Sequence, residues 1–246
     1  MSGHHDLRRP AVFIHATQSL SFDAPMKHAI KSDGGLKDWS VREIAQQYQV
    51  SRTMAGLKEH APKIAEIIES LKTATVDKSL PEAAAECVKW LKEFKNLQAY
   101  SSKNKNPRWP LSAISKLLWF ARDDGRWTLY DSYARDALNI RSGGQSGFEL
   151  FYKTLEEAGF DEAVTAARAI RDGEDLAGLR IFPERIIDAH LVLISARSDK
   201  RASLLRRAAN FEATLLPALR PPLTALADAL AGDDSCWLNP SKLKKT

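Results

Sequence analysis

Lys116 is the only charged residue between Trp109 and Arg122, in the run Trp109-Pro-Leu-Ser-Ala-Ile-Ser-Lys-Leu-Leu-Trp-Phe-Ala-Arg122. A primary amine held among apolar and aromatic groups loses hydration. That loss lowers its pKa and makes the neutral amine available as a nucleophile. Fifteen positions further on stands Asp131, just before a helix-like stretch. A carboxylate there can stabilise positive charge developing on a substrate carbon. Each residue also has a plainer role open to it. The lysine can snorkel to solvent over its aromatic neighbours, and the aspartate can cap the helix that follows it.

The elements that carry these two residues are readable from spacing. Leu111, Ile114, Leu117, Leu118 and Ala121 make an inner stripe, while Trp119 and Phe120 share the face of Lys116 at i+3 and i+4. A helix apolar nearly all round is buried or lines a cleft. Asp123-Asp124-Gly125 is a turn signal, and Trp127–Tyr130 is one of two short extended candidates, Leu179–Phe182 being the other. Elsewhere helical periodicity dominates. It marks Ile64–Leu71, Cys87–Leu97 (opened by Pro81), Phe148–Leu155 after Gly143-Gly144, Ile186–Ile194 after Pro183, and Leu204–Leu215 up to Pro217. The fold class expected is mostly α, a multi-helix globular bundle.

The arrangement Ser115-Lys116, an apolar helix, a short turn, then Tyr130-Asp131-Ser132 and Ala137-Leu138 resembles the helix-hairpin-helix DNA glycosylase superfamily. The likeness is greatest to small bacterial proteins of the 8-oxoguanine-glycosylase type. It covers Trp109–Leu138 well and Asp38–Ser195 more loosely. The resemblance implies a glycosylase-like helical fold, DNA as partner, and base excision as the reaction, a DNA-repair chemistry. Lys116 would attack the sugar carbon of a flipped nucleotide, with Asp131 as its electrostatic partner. An extruded base needs a stacking surface, and Trp109, Trp119 and Trp127 are the candidates. The superfamily's glycine-bearing hairpin is replaced here by Asn104-Lys-Asn-Pro-Arg-Trp-Pro-Leu111, which has no glycine. Lys103, Lys105 and Arg108 would then have to grip phosphate in its place. The Lys116–Asp131 interval is also a few positions shorter than usual for active members. A non-catalytic nucleic-acid-binding or protein-interaction module, in a bacterial defence or mobile-element setting, is the alternative.

Residues 40–58 read like half of a helix-turn-helix. Ser40 would cap the first helix with Glu43 completing a capping box, Ile44 and Ala45 would face inward, and Ser51 would cap a second helix presenting Arg52 to DNA. The turn has Gln49 where glycine is expected, and plain core packing explains the same pattern. A further pair, Arg185 and Asp188 at i, i+3, can form an ion pair, and His190 falls on the apolar side of its helix.

Composition narrows the classes. The 246 residues are 44% apolar and 27% charged, enough for a real core. The net charge is +5 with a pI near 9.1, which permits nucleic acid as partner without requiring it. Positive charge gathers in Lys103–Arg108, Lys200–Arg207 and Lys242–Lys245. Cys87 and Cys236 form no metal or disulfide pattern, so no metal and no cofactor are expected. No apolar run approaches a membrane span, and a cytoplasmic protein is the expectation. Residues 1–20 and the basic tail 232–246 are expected to be loosely held around a helical body, 21–231.

Overall fold

Apolar residues three and four apart become helices throughout this chain, and the structure, a computed structural model, describes residues 4–50, 57–98, 110–173 and 180–244. Among these residues all regular structure is helical and no strand forms. The multi-helix bundle expected from periodicity is therefore present. Both extended candidates stay non-helical in their described parts but join no ladder. Their backbone groups are satisfied by side chains instead. Tyr130 N–H donates to Ser115 Oγ, Phe182 N–H donates to His15 Nε2, and Ser19 Oγ donates to the carbonyl of Arg180.

The chain divides into two compact units. The first comprises Met1–Pro25, Ser132–Ile140 and Thr154–Thr246; the second comprises Met26–Asp131 and Arg141–Lys153.

In the first unit, α1 (Arg8–Gln18) packs against α10 (Pro183–Ser195), α11 (Ser198–Thr214) and α12 (Arg220–Gly232). Ala11, Val12, His15 and Ala16 are all buried, at the i, i+1, i+4, i+5 spacing of one helical stripe. The N-terminal segment expected to be loose is thus a core helix from Arg8 onward. Arg9 fastens its outer side, donating to Glu212 at 2.6 and 2.9 Å and to Asp228 at 2.6 Å. A turn of π-helix, Ser19–Asp23, continues α1. The tail past Ala231 is also docked. Trp237 Nε1 donates to the Leu230 carbonyl, Asn239 N–H to Ala158, and Lys244 N–H to Ala137. Composition alone pointed to a basic tail; buried Cys236, Trp237, Leu238 and Leu243 hold it down.

The second unit contains α3 (Asp38–Gln47), α4 (Leu57–Thr75), α5 (Leu80–Gln98) and α6 (Leu111–Ala121). In it, α3 lies on α4, α4 on α5, and both α3 and α4 on α6. Glu82 reaches back to the start of α5, where Ser79 N–H and Oγ both donate to its carboxylate at 3.0 Å, one half of a capping box. The helix-turn-helix reading fares differently. α3 opens at Asp38, two residues before the expected cap, and Ser40 Oγ accepts the Lys37 N–H at 2.9 Å from inside the first turn. Glu43 stays exposed. Ile44 and Ala45 are fully buried as expected. Gln49 takes φ +54°, supplying the left-handed conformation that glycine usually provides, and Val50 N–H closes the turn on the Ala45 carbonyl. Ser51 and Arg52 lie outside the described residues.

Candidate functional site

α6 is buried on every side. Each residue from Ala113 to Ala121 is buried, and so is Leu111. Its C-terminal carbonyls, which helix geometry leaves without partners, are held by a second buried lysine. Lys27, from α2 (Ala24–Ser32), donates Nζ to the Trp119 carbonyl at 2.7 Å and to that of Arg122. The same ammonium lies 4.3 Å from the centre of the Trp119 ring. Arg122 is buried beside it, forks onto the Asp124 carboxylate and donates Nη1 to the Thr75 carbonyl at 3.2 Å.

Lys116 sits one turn from the other end of α6. It is 8% exposed, its Nζ donates to Ser112 Oγ at 3.1 Å, and the amine stands 5.8 Å from the Tyr48 ring centre. The i−4 partner directs the side chain back toward the helix N-terminus, the direction helical rotamers favour. An aromatic cluster adjoins it. Tyr48 meets Phe120 edge-on at 5.7 Å, and Phe120 meets Trp119 edge-on at 4.7 Å. The ring set against the Lys116 amine is that of Tyr48, the C-cap residue of α3, while Trp119 meets Lys27. No pattern in the sequence singles out Tyr48, because its contact with α6 is made through the tertiary fold.

Ser115, the residue before Lys116, ties α6 to the segment leading to Asp131. Its Oγ accepts the Tyr130 N–H at 3.0 Å and its carbonyl accepts Trp127 Nε1–H at 2.9 Å. From the other side, α8 (Gly144–Glu157) braces the same segment. Trp127 stacks on Tyr152 at 4.1 Å, Tyr152 Oη donates to the Thr128 carbonyl at 2.8 Å, and Tyr130 meets Phe148 and Phe151 edge-on. Gly147 makes this approach possible, since a Cβ there would collide with the Ser142 carbonyl oxygen and stand 3.3 Å from Tyr130 Oη. Lys116 and Asp131 are thus each the next residue after a hydrogen-bonded pair. Asp131 is half-buried and directly precedes α7 (Ser132–Ala137).

Trp119 and Trp127, expected as stacking surfaces for a base, are each 1% exposed and committed to the core. Neither indole presents a face to solvent. Lys103, Lys105, Arg108 and Trp109 lie outside the described residues.

The first unit holds another polar cluster. α10 buries every residue from Pro183 to Leu191, among them Glu184, Arg185, Asp188 and His190. Arg185 pairs with Asp188, as the i, i+3 spacing indicated, and its Nε lies 3.7 Å from Asp23, which is fully buried in the π turn. His15 Nε2 accepts the Phe182 N–H at 3.0 Å, so in the neutral ring Nδ1 carries the proton. Burial, reinforced by the Arg185 charge, drives the His15 pKa well below its usual 6.5. His190 contacts the His4 carbonyl through Nε2 at 3.2 Å and the Trp237 ring edge-on at 4.7 Å. Burial brings its pKa down to about 3. It is the core histidine its apolar side suggested. Asp23 and His15 went unnoticed in the sequence, although His15 and Ser19 at i, i+4 continue the inner stripe of α1.

Cys87 and Cys236 are free and buried. Burial raises both thiols, Cys236 to about 11, so neither is a thiolate at neutral pH. Among the described residues no group of three His, Cys, Asp or Glu side chains is placed to hold a metal ion, and no helix is long and apolar enough to cross a membrane.

Compared with known protein families, with curated proteins and with solved structures, the chain finds no match in any of the three.

Proposed function

We propose that this protein binds DNA and excises or senses a damaged or modified base, with Lys116 as an amine nucleophile and Asp131 as its electrostatic partner. One observation carries the reading. The Ser115 Oγ···H–N Tyr130 bond links the residue before the lysine to the residue before the aspartate. It does so in a helix where Lys116 is the only charged side chain. Cleavage of a glycosidic bond builds positive charge on the sugar, which a carboxylate stabilises. A desolvated amine then attacks the anomeric carbon as the base departs with the bonding electron pair, and loss of the amine proton with ring opening leaves a Schiff base. The helical architecture is compatible with the glycosylase-like fold that the Ser115–Leu138 motif suggests.

Borohydride reduction in the presence of oligonucleotides carrying oxidised, alkylated, deaminated or abasic positions tests this directly. Expected is a covalent protein–DNA species that disappears in Lys116→Ala and falls at least about tenfold in Asp131→Asn, whose amide stabilises cationic charge poorly. An adduct that survives Lys116→Ala, or none across the panel, overturns the catalytic assignment.

The burial of Trp119 and Trp127 favours a second reading, in which the same centre is structural and the protein binds nucleic acid without chemistry. Salt-dependent DNA binding that is equal in the native protein and in Lys116→Ala, with no adduct, is its signature.

A further inference from the structure

We propose that the exposed face of α11 carrying Lys200, Ser203 and Arg207, together with Tyr133 of α7, is a docking surface for the phosphate backbone of a nucleic acid. The choice of ligand rests on the DNA reading given above; the surface itself rests on geometry within the first unit.

Several half-buried cations of this unit are already paired. Arg9 pairs with Glu212 and Asp228, Lys242 with Glu157, and Lys244 with Asp136. Lys200 and Arg207 are exposed, as are Arg197 and Arg206 of the same stretch, and none of the four forms an ion pair with any described residue. At i, i+3 and i+7, Lys200, Ser203 and Arg207 share one face. Seven residues of helix separate the two charges by about 10 Å along the axis. That distance matches about three base steps of duplex at 3.4 Å each. The adjoining side of α11 is anchored, with Leu204 and Ala208 buried. Arg201 pins its first turn to α10, donating Nε to the Leu193 carbonyl at 2.9 Å and Nη2 to Ile194 at 2.8 Å. The cations therefore project from a rigid rod, which lowers the entropy lost on binding.

Tyr133 gives the patch its nucleic-acid character. Its ring is 37% exposed and lies 5.6 Å from Lys200 Nζ. An open aromatic beside a cation is the pairing that single-strand binders use, the ring stacking on a base while the ammonium meets the phosphate. Tyr133 is also two residues past Asp131, so a strand held here passes close to the α7 N-terminus. An anionic membrane would use the same charges, so vesicles form a separate arm of the test.

Fluorescence anisotropy with labelled 20-nucleotide single-stranded and duplex DNA, repeated across a salt series, provides the test. In Lys200→Ala/Arg207→Ala the affinity at 100 mM salt is expected to fall at least about tenfold. The slope of log K against log salt should drop by about 1.8 on duplex and about 1.4 on single strands, two phosphate contacts' worth. Tyr133→Ala should weaken single-strand binding several-fold while Tyr133→Phe does not. Lys242→Ala/Lys244→Ala, which removes paired cations, should change little. Native protein that binds DNA with unchanged affinity and slope in the α11 double variant overturns this surface and leaves the proposed function standing. Native protein that binds no nucleic acid at low salt overturns both. Binding confined to phosphatidylserine vesicles and lost in the double variant overturns the nucleic-acid assignment in favour of a membrane.

Discussion

Lowering the pH from 7.5 to 4.5 should destabilise this protein through histidine before its carboxylates contribute. His15 and His190 are both 2% exposed, and burial lowers both pKa values, that of His190 from 6.5 to about 3. A group whose pKa is depressed by folding lends its full stability above the unfolded value, and that stability is lost as pH falls toward the folded value. The unfolded chain takes up a proton near pH 6.5 that the folded chain refuses. Two pH units below 6.5, His190 therefore withdraws roughly 3 kcal/mol, a little over 1 kcal/mol per pH unit, and His15 acts in the same direction. That is a large share of the roughly 5–15 kcal/mol typical of a domain. His4, also lowered by burial, adds in the same direction. The depressed carboxylates, Asp124, Asp233, Asp234, Glu82 and Glu86, start from 3.8 or 4.5, so most of their contribution comes below this window.

Urea unfolding at pH 7.5, 6.5, 5.5 and 4.5 reads the slope. The native chain should lose stability by more than about 1 kcal/mol per pH unit between 5.5 and 4.5, and the slope of His190→Gln should be shallower by about that amount. His15→Gln/His190→Gln should be nearly flat over the same interval, whatever its stability at pH 7.5. A native profile that is level down to pH 4.5, or a His190→Gln slope equal to the native one, refutes the placement of these rings as buried neutral groups.

Two further substitutions probe the frame around the sites. Asp23→Asn leaves the buried Arg185 guanidinium with one carboxylate in place of two, and should cost about 3–5 kcal/mol by chemical denaturation, the range for breaking a buried pair. A loss below 1 kcal/mol would mean that Asp188 alone neutralises the arginine. Gly147→Ala drives a methyl into the Ser142 carbonyl and should destabilise by about 1–3 kcal/mol. It should also reduce borohydride trapping, because the displaced segment is the one that delivers Asp131.

Helix was legible in this sequence wherever one apolar stripe repeated without interruption. α6, α8 and α10 announce themselves that way, and Pro183 marks the start of α10. Spacing also supplied the Lys116–Phe120 face and the Arg185–Asp188 pair, because both are local to one helix. Helix ends were less legible. Ser40 was read as a cap on residue type, but Lys37 leads into α3 and Ser40 bonds back to it from the first turn. The termini misled for a related reason. Residues 1–20 are rich in His and Arg, and the tail is rich in Lys, yet a few apolar residues in each are enough to dock them. Contacts across helices left no local trace at all. Tyr48 against Phe120, Lys27 beneath Trp119 and Asp23 beside Arg185 each join residues distant in sequence.

The burial of the tryptophans redistributes roles within the proposed site. Trp119 and Trp127, expected to stack on a base, pack instead in the core around the proposed centre. Trp127 fixes the extended segment to Ser115, and Trp119 packs where Lys27 caps α6. A stacking platform must offer an open face, and in the first unit Tyr133 does so. The amine of Lys116, turned back toward the start of α6, then needs access only from that end of the helix. Loss of trapping in Trp127→Leu with little loss of DNA affinity is therefore expected, since the indole positions the centre and does not touch the ligand. Tyr133→Ala should show the reverse, weaker binding with trapping restored at saturating DNA. If Trp127→Leu instead weakens binding and leaves trapping at saturation intact, the indole contacts DNA and this division of labour is wrong.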